Sequence, residues 1–436
     1  MPRLFPIRPV TFRPPADRDI SPLIAPPYDV LDAESKAQLL ARSENNIVAI
    51  DLPHLPAKTV GPDETYDEAG RRYRQWLEQG ILDRSETPAL FIYSQQYEHA
   101  GRTFDRRALI ANIAVQPFGP GPEGAGGIFP HEQTFAGAKE DRLKLMRTTR
   151  AQLSPIFGIF SDAQARVVQM LQQVMDEREP DVVATTPDDG VKHQVWRVEQ
   201  PERIEAFRAA IEPVDVFIAD GHHRYTTAIN YREEAGPGTG ADHCMFVLAA
   251  MQDPGMIILP THRVLGGMQG FSIQKLKEAA AGLLEIRPFD GDDLEALERA
   301  LPEASHPAMG LYDPAAPAES RLHIATTVDP DPMASSHSDH SEAWRKLDVA
   351  ICQHLLVERI CQPTFAGGAE VKWKFPHDLA ELRALTDSDE YQLGVVMQPT
   401  PLQGVMDVSA AGDLMPQKST FFYPKLATGL VINPLD

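Results

Sequence analysis

The chain has 436 residues, of which 43% are hydrophobic, so its length and composition predict two or three packed domains and exclude a disordered or fibrous protein. It carries 41 lysines and arginines against 62 aspartates and glutamates, and the net charge of −21 argues against a dedicated nucleic-acid binder. Its cysteines, Cys244, Cys352 and Cys361, fit neither a disulfide framework nor a structural zinc site. Signal-peptide and membrane-length apolar runs are absent, so we expect a soluble, cytoplasmic protein without membrane association.

The order of apolar and polar segments predicts alternating helices and strands. Helices are predicted where apolar residues recur about every 3.6 positions, and strands where apolar runs are short or alternate with polar residues. In chain order the predicted elements are a helix at 32–42, a strand at 47–52, a helix at 63–79, paired strands at 89–99 and 104–115, a helix at 137–151, a strand at 153–160, a helix at 162–178, a strand at 193–199, a helix at 201–212, a strand ending at Asp220, a helix ending near Gly236, and apolar runs at 245–251 and 256–260 that join one sheet. The predicted fold class is therefore α/β with mixed sheets.

The rest of the chain is less regular. Residues 273–304 carry helical periodicity, and the weakly apolar stretch 329–342 is typical of a surface linker. A glycine- and proline-rich loop at 119–127 precedes polar residues, which is a common setting for function. The predicted segments are an N-terminal α/β region at 1–118, a central region with the principal motif at 119–270, a helical insert and linker at 271–342, and a C-terminal region at 343–436.

The most specific motif is IleAlaAspGlyHisHisArgTyrThrThrAla at 218–228. A buried strand ends at Asp220, Gly221 permits a close turn, and a helix follows, so backbone N–H groups and the positive helix end point where an anion could bind. The side chains that add donors there are His222, His223 and Arg224. The structural alternative is an ordinary turn in which Asp220 caps the helix and the histidines bind nearby carbonyls. Four titratable side chains within five positions favour the functional interpretation.

A second candidate follows the glycine-rich loop as HisGluGlnThr at 131–134. His131 could hold a phosphate oxygen, and Glu132 could bind magnesium or act as a base. The basic residues at 139–147 could add positive charge. The alternative is a helix start capped by Thr134, followed by a solvated basic face. The spacing is not that of HExxH, so zinc protease chemistry has no support.

A third candidate is Asp29 in ProProTyrAspVal at 26–30. The prolines make this turn rigid and hold Asp29 at its exit toward a helix. One interpretation is that Asp29 simply caps this turn.

Two later motifs carry cations. LeuProThrHisArg at 259–263 ends an apolar strand with His262 and Arg263, which either bind phosphate or form a surface ion pair at a sheet edge. MetProGlnLysSerThr at 415–420 contains Lys418. A turn with such a cation either neutralises a ligand phosphate or carboxylate, or closes a packed terminal hairpin.

These motifs resemble known families. GlyHisHisArgTyr resembles the phosphate-binding turn of the ParB and sulfiredoxin superfamily, and AspGlyHisHisArg is similar to the signature of the free serine kinases built on that fold. Along nearly its whole length the chain also resembles the bacterial and archaeal family catalogued as domain of unknown function 1015. The residues that carry this second resemblance are ProProTyrAspVal at 26–30, HisGluGlnThr at 131–134, AspGlyHisHisArgTyr at 220–225, LeuProThrHisArg at 259–263, MetProGlnLysSerThr at 415–420 and TyrProLys at 423–425. The resemblance implies a ParB/sulfiredoxin-like core with additional domains.

Departures from that superfamily narrow the chemistry. Sulfiredoxin-like enzymes carry a cysteine directly after the glycine, where this chain has His222, so sulfur chemistry is set aside. ParB carries an acidic residue and a second arginine where His222 and His223 stand, and its helix-turn-helix has no recognisable counterpart here. The resemblance therefore implies a nucleotide-dependent phosphotransferase that uses ATP or ADP and Mg²⁺. Its acceptor would be a small hydroxylated metabolite, which is free serine in the resembling kinases.

In this hypothesis Gly221 and the following N–H groups cradle the phosphates, while Arg224 and one of the histidines at 222 and 223 stabilise the transferring oxygens. Asp220 or Glu132 holds magnesium, and Asp29 or Glu132 orients the hydroxyl. The alternative is a nucleotide-binding switch that changes a protein partner and turns over slowly. Both need the cradle, but only the kinase needs a carboxylate near the acceptor. The sequence leaves the oligomeric state open, a homo-oligomer included.

Overall fold

The computed structural model describes residues 3–121, 126–291, 293–304, 307–388 and 390–436. The chain forms two compact units. The first extends to Ile257 and also contains Pro424–Asp436 at the end of the chain, and the second is Ile258–Tyr423. This division differs from the four segments expected from composition, because the return of the last residues to the first unit leaves no local signal. In the described part of the chain no helix has the length and apolar character needed to cross a bilayer.

The first unit contains most of the elements predicted from periodicity. Its strands are β1 (Leu4–Phe5), β2 (Val10–Phe12), β3 (Leu82–Arg84), β4 (Leu90–His99), β5 (Arg102–Ala114), β6 (Ile128–Phe129), β7 (Ala151–Gln152), β8 (Ile156–Phe160), β9 (Val182–Thr185), β10 (Lys192–Val198), β11 (Val216–Asp220) and β12 (His243–Ala250). Its helices are α1 (Ala33–Arg42), α2 (Val48–Asp51), α3 (Asp63–Glu78), α4 (Ala136–Thr149), α5 (Arg166–Glu177), α6 (Pro201–Ile211) and α7 (His222–Ala235), with short 3₁₀ turns at Tyr28–Val30 and Gly240–Asp242.

The main sheet of the first unit has the strand order β6-β11-β8-β12-β5-β4-β10-β9, with β1 beside β5. The pairs β6–β11 and β8–β12 are parallel, and the other pairs are antiparallel. Since β6 and β11 run the same way, the residues that follow them reach the same sheet edge. The pairing of β11 with β8 shifts register between Ile218 and Asp220, which marks a local irregularity where β11 ends. Helices α5, α6 and α7 bury apolar side chains against this sheet, among them Leu171, Phe207 and Tyr225.

The second unit is built around another mixed layer of strands and helices. Its strands are β13 (Ile257–Leu259, whose first residue is the last of the first unit), β14 (Arg263–Gly266), β15 (Leu284–Pro288), β16 (Ala308–Tyr312), β17 (Leu322–Thr327), β18 (Lys372–Lys374), β19 (Tyr391–Val396) and β20 (Phe421–Tyr423). Its helices are α8 (Ile273–Ala279), α9 (Leu294–Ala300), α10 (Glu342–Arg345), α11 (Asp348–Ala350), α12 (Gln362–Phe365), α13 (Leu379–Thr386) and α14 (Leu402–Ala410), with a π-helix at Ile351–Cys361 and 3₁₀ turns at Leu301–Glu303 and Ala318–Ser320. The last strand of the chain, β21 (Asn433–Pro434), pairs with β7 of the first unit.

The sheet of the second unit is antiparallel, with the order β15-β17-β16-β19-β14-β18. Successive residues of β14 enter different cores, as the alternation of side chains along a strand requires. Leu265 packs into the core that contains the π-helix, whereas Val264 packs with residues of α9 and α13. Helices therefore cover both faces of this sheet, and the mixed α/β class predicted from the sequence is confirmed. The ParB/sulfiredoxin-like core stays a prediction.

Two strand predictions are wrong. The run at 47–52 is not a strand but contains α2, because Asn46 Oδ1 accepts a hydrogen bond from Val48 N at 3.0 Å and starts a helical turn. A short, mostly apolar run does not distinguish a buried helix from a buried strand. The run at 256–260 does not join the sheet that contains β12, since β13 pairs with β20 instead.

The charged region and the expected linker are more structured than predicted. The helical stretch expected at 273–304 is interrupted by β15. Residues 329–342 lie within the second unit rather than between units, because Met333 is buried in its core and Asp331 forms an ion pair with Arg345 at 2.8 Å. The loop expected at 119–127 lies partly outside the described residues.

Candidate functional site

The turn between β11 and α7 has the backbone that its sequence predicts. Gly221 has a φ of 96°, in the left-handed region that favours glycine, and a Cβ there would lie 3.1 Å from the Arg224 guanidinium carbon. No side chain caps the first turn of α7. The first N–H groups of any helix have no intrahelical acceptor, and in this 14-residue helix no capping side chain replaces one. The turn is therefore suited to binding an anion.

Asp220, at the end of β11, forms ion pairs with two cations. Its Oδ1 accepts from Arg224 Nη2 at 3.0 Å, and its Oδ2 accepts from Lys425 Nζ at 2.6 Å. Burial alone would raise the pKa of this carboxyl, but Lys425 and Arg224 together hold it below its ordinary value. Asp220 is therefore ionised, and it does not cap α7, because Gly221 occupies the cap position.

Two cations, Arg224 and Lys425, would compete with magnesium for the Asp220 carboxylate. Both carboxylate oxygens already face cations, so a metal ion would have to displace Arg224 or Lys425. Glu132, the other predicted ligand, is half-buried, and the described residues offer it no hydrogen bond or ion pair. Within the ranges that the structure describes, no three histidine, cysteine or carboxylate side chains are grouped to hold a metal ion.

Arg224 is anchored rather than extended into solvent. Besides its bond to Asp220, its Nη1 donates to the carbonyl oxygen of Pro155, just before β8. Its side chain is only 11% exposed, so the charge is poorly screened by water. Arg224 thus joins β11, α7 and the start of β8, and it has a structural role whatever it binds.

The two histidines attach a neighbouring loop to the start of α7. His222 Nε2 accepts from the backbone N–H of His131 at 3.2 Å, and His223 Nε2 accepts from that of Phe135 at 3.0 Å. These bonds assign the ring proton of each histidine to Nδ1. Burial lowers the pKa of His222 well below its ordinary value and that of His223 to about 4. Both rings are therefore neutral near pH 7, so either histidine would contact an anion through a ring N–H and not through a positive charge.

The predicted residues on the neighbouring loops lie beside this turn. His131 follows β6, and its Nδ1 donates to Ile218 O of β11 at 2.8 Å, while its ring packs edge-on against His222. Burial lowers the pKa of His131 as well. Asp29, in the 3₁₀ turn Tyr28–Val30, forms an ion pair with Lys58 at 3.1 Å. Its carboxylate is close enough to His223 and Arg224 to favour their charged forms, although burial still lowers the pKa of His223 to about 4.

Sequence reasoning missed a network of buried charges beside Arg224. Arg142 donates from Nε to Asp141 at 2.8 Å and from Nη1 to the carbonyl oxygen of Asp51 at 2.7 Å. Asp51 Oδ2 also accepts from Ser154 Oγ at 2.8 Å. Arg142 belongs to the basic stretch at 139–147, for which a solvated face was one of two interpretations, yet it is only 6% exposed. Asp51 was hidden within the run interpreted as a strand.

A small cavity lies between Arg224 and this network. Its volume is about 40 Å³, and its polar lining consists of Asp51, Arg142, Gln152, Ser154 and Arg224. A cavity of this size holds a few water-sized groups but not a nucleotide. A nucleotide bound at the turn would therefore lie outside this cavity.

The remaining predicted residues, His262, Arg263 and Lys418, belong to the second unit. His262 Nδ1 accepts from Met397 N at 3.1 Å, and burial lowers its pKa to about 4, so this ring is neutral and holds a backbone segment. Arg263 donates to the carbonyl oxygens of Thr261 and Lys418. The motif at 259–263 does not lie at the surface, since His262 and Arg263 are both buried, and His262 Nε2 lies 3.6 Å from the Glu298 carboxylate.

Comparison with known proteins gives a family and several remote structural likenesses. A variant of free serine kinase in complex with AMP matches at 10% identity and a TM-score of 0.35, over 70% of this chain and 89% of its own. A conserved hypothetical protein from Pyrococcus furiosus matches at 13% identity and 0.33, over 70% and 92%. SbnI with a C-terminal truncation, from Staphylococcus aureus, matches at 10% identity and 0.32, over 74% and 81%.

These structural likenesses are too remote to assign a function, and no curated protein matches the chain. The family model described as "Protein of unknown function (DUF1015)" matches residues 4–350, which include every predicted site residue except Lys418. The chain therefore belongs to the DUF1015 family.

Proposed function

We propose that the turn between β11 and α7 binds the phosphate groups of a nucleotide and that the protein is a phosphotransferase. The observation that carries this proposal is the start of α7 after Gly221, which no side chain caps, next to two cations, Arg224 and Lys425, that both contact Asp220. Helix N–H groups combined with fixed cations are a recurring arrangement for phosphate. ATP or ADP is the proposed donor, as the sequence resemblance implies.

In this proposal the two cations, Arg224 and Lys425, are held in place before the ligand binds. Lys425 and Arg224 are held by one carboxylate, Asp220, so their positions are fixed before the ligand arrives. An arriving phosphate would share these cations with Asp220 and would gain charge-assisted hydrogen bonds from them. Fixed donors stabilise the charge that develops on a transferring phosphoryl group at little reorganisation cost.

The acceptor is proposed to be a small hydroxylated metabolite, with free serine the candidate that the resemblance implies. Its oxygen would form the new bond to phosphorus while the bond from phosphorus to the nucleotide's bridging oxygen breaks, and the hydroxyl proton would pass to a carboxylate. Asp29 and Glu132 both remain candidates for that carboxylate. Asp29 is paired with Lys58, whereas Glu132 is half-buried beside His131, so their chemical settings differ.

Magnesium is proposed to arrive with the nucleotide and to be held mainly by its phosphates, which is the usual mode for this ion. Glu132 is the better protein ligand of the two predicted, because Asp220 already faces two cations. The ion would neutralise charge on the phosphates during transfer.

Phosphate transfer from labelled ATP or ADP to serine, and to a mixture of hydroxylated metabolites, tests the proposal directly. We expect Asp29→Asn or Glu132→Gln, whichever removes the base, to lower kcat strongly while nucleotide affinity changes little. Asp63→Asn is the matched control, because Asp63 is an exposed carboxylate paired with Lys144. Nucleotide binding without transfer to any acceptor would favour the switch, and absence of nucleotide binding would refute both.

A further inference from the structure

The structure joins two cation-bearing motifs of the second unit. Arg263, the first residue of β14, donates from Nη2 to the carbonyl oxygen of Lys418 at 3.1 Å and from Nη1 to that of Thr261. Its guanidinium also lies 5.2 Å from the centre of the Phe375 ring. The motifs at 259–263 and 415–420, far apart in sequence, therefore meet at one guanidinium.

This guanidinium is buried without a counter-ion. Arg263 is only 3% exposed, and in the described part of the chain its hydrogen-bond acceptors are the two carbonyl oxygens. Burial lowers its pKa, and the influence that opposes this comes from the thiol of Cys352 rather than from a carboxylate. Buried charges in proteins are ordinarily paired, because an unpaired charge in a low-dielectric interior is costly. Only two of the five N–H donors of the guanidinium are accounted for.

Thr261 provides a second, independent observation. It is 3% exposed, and its Oγ1 is buried without a hydrogen-bond partner. Buried hydroxyl groups seldom lack a partner, so one that lies beside a buried, unpaired guanidinium calls for an explanation. Because the Arg263 guanidinium donates to the Thr261 carbonyl oxygen, the unpartnered hydroxyl and the unpaired charge lie in the same part of the second unit.

We propose that Arg263 and Thr261 bind an oxyanion, a carboxylate or a phosphate group, at a site in the second unit. The anion would accept hydrogen bonds from the unused guanidinium N–H groups and from the Thr261 hydroxyl, and it would neutralise the buried charge. The site uses different residues from the turn after β11. It does not rest on the proposed phosphotransferase activity.

Thr261→Val tests this site with little change in shape. In the full-length protein, titrations with inorganic phosphate and with acetate at constant ionic strength give the anion affinity by calorimetry. We expect Thr261→Val to weaken binding of at least one of these anions about tenfold to a hundredfold, as for loss of a hydrogen bond to a charged group. The anion that binds the wild type more tightly identifies the chemical source, phosphate or carboxylate.

Thr327→Val is the matched control, because the Thr327 hydroxyl is also buried and without a partner in the second unit. Neither valine should destabilise the anion-free protein, since each removes an unsatisfied hydroxyl. Only Thr261→Val should weaken anion binding. If Thr261→Val and Thr327→Val bind both anions as tightly as the wild type does, the inference is wrong.

Arg263→Met separates this site from the proposed nucleotide site. We expect it to abolish the anion binding that is sensitive to Thr261→Val, while pyrophosphate binding that is sensitive to Lys425→Met persists. If the wild type shows the anion binding that Thr261→Val weakens but no pyrophosphate binding that Lys425→Met weakens, the proposed function is refuted and this site stands. If anion binding persists undiminished in folded Arg263→Met, the oxyanion site is refuted.

Discussion

Asp220→Asn is the substitution whose consequences the structure defines best. It keeps the shape of the side chain but removes the charge that faces Arg224 and Lys425 at 3.0 and 2.6 Å. The exposed fractions of the Asp220, Arg224 and Lys425 side chains are 19%, 11% and 23%, so water screens these ion pairs only in part. The variant leaves two cations without their shared counter-ion.

Breaking a buried ion pair by removing one partner costs about 3 to 5 kcal/mol. Partial exposure of these groups puts the expected loss near the lower end, at about 3 kcal/mol of unfolding free energy. A domain of 150 to 250 residues changes its Tm by about 2 to 4 °C per kcal/mol, so we expect Tm to fall by about 6 to 12 °C. Calorimetry or circular dichroism on the purified variant measures this shift.

Although Asp220→Asn should destabilise the fold, it should strengthen the binding of a phosphate ligand. Without Asp220, the cations at 224 and 425 no longer share a protein carboxylate, so magnesium-free pyrophosphate should bind more tightly than it binds the wild type. Asp63→Asn is the control, because Asp63 is 77% exposed and its pair with Lys144 should contribute little. A variant with unchanged Tm and unchanged pyrophosphate affinity would refute this interpretation of Asp220.

The pH dependence of stability gives an independent check on Asp220. Its pKa is lower in the folded protein than the ordinary value of 3.8, so its ion pairs stabilise the fold above that pH. This contribution is lost as the pH falls below 3.8 toward the folded-state value. The difference in Tm between wild type and Asp220→Asn should therefore shrink in acid, whereas a constant difference would contradict the assignment.

Three further outcomes follow from the geometry of the turn. Arg224→Ala should weaken pyrophosphate binding about tenfold to a hundredfold and also lower Tm, because it breaks contacts with Asp220 and Pro155; Arg224→Lys should recover part of the affinity, and unchanged affinity in Arg224→Ala would count against the site. Gly221→Ala should cost about 1 to 2 kcal/mol of stability, measured by urea unfolding, because its φ is 96°; a neutral effect would mean that the turn relaxes. Pyrophosphate affinity should not titrate between pH 6 and 7 through His223, since its pKa is about 4, and a transition near pH 6.5 that His223→Gln removes would show that this ring is protonated.

The strand, turn and helix at the candidate site could be predicted because their signals are local. The apolar run of β11, the glycine and the polar helix start lie within a few residues of one another. The partner of Asp220 could not be predicted, because Lys425 is 205 residues away in sequence. Lys425 was recognised only as part of a motif near the end of the chain.

The histidines show a different limit of sequence reasoning. Their positions were predicted, but their charge depends on burial and on hydrogen bonds from His131 and Phe135, which are 91 and 88 residues away. Asp51 was missed because a short apolar run was interpreted as a strand, whereas a hydrogen bond from Val48 to Asn46 makes it a helix. Chemistry that depends on tertiary contacts is therefore the part that residue patterns alone leave undetermined.

Calorimetric titration of pyrophosphate and ADP into wild type, Lys425→Met and Lys346→Met tests the central claim most directly. Lys346 is the matched control, because it is also a lysine paired with a carboxylate, Glu342, but it lies in the second unit. The proposed phosphate site predicts that Lys425→Met binds both ligands at least about tenfold more weakly, while Lys346→Met binds them as the wild type does. Equal affinity in all three proteins, or no binding of either ligand by the wild type, would contradict it.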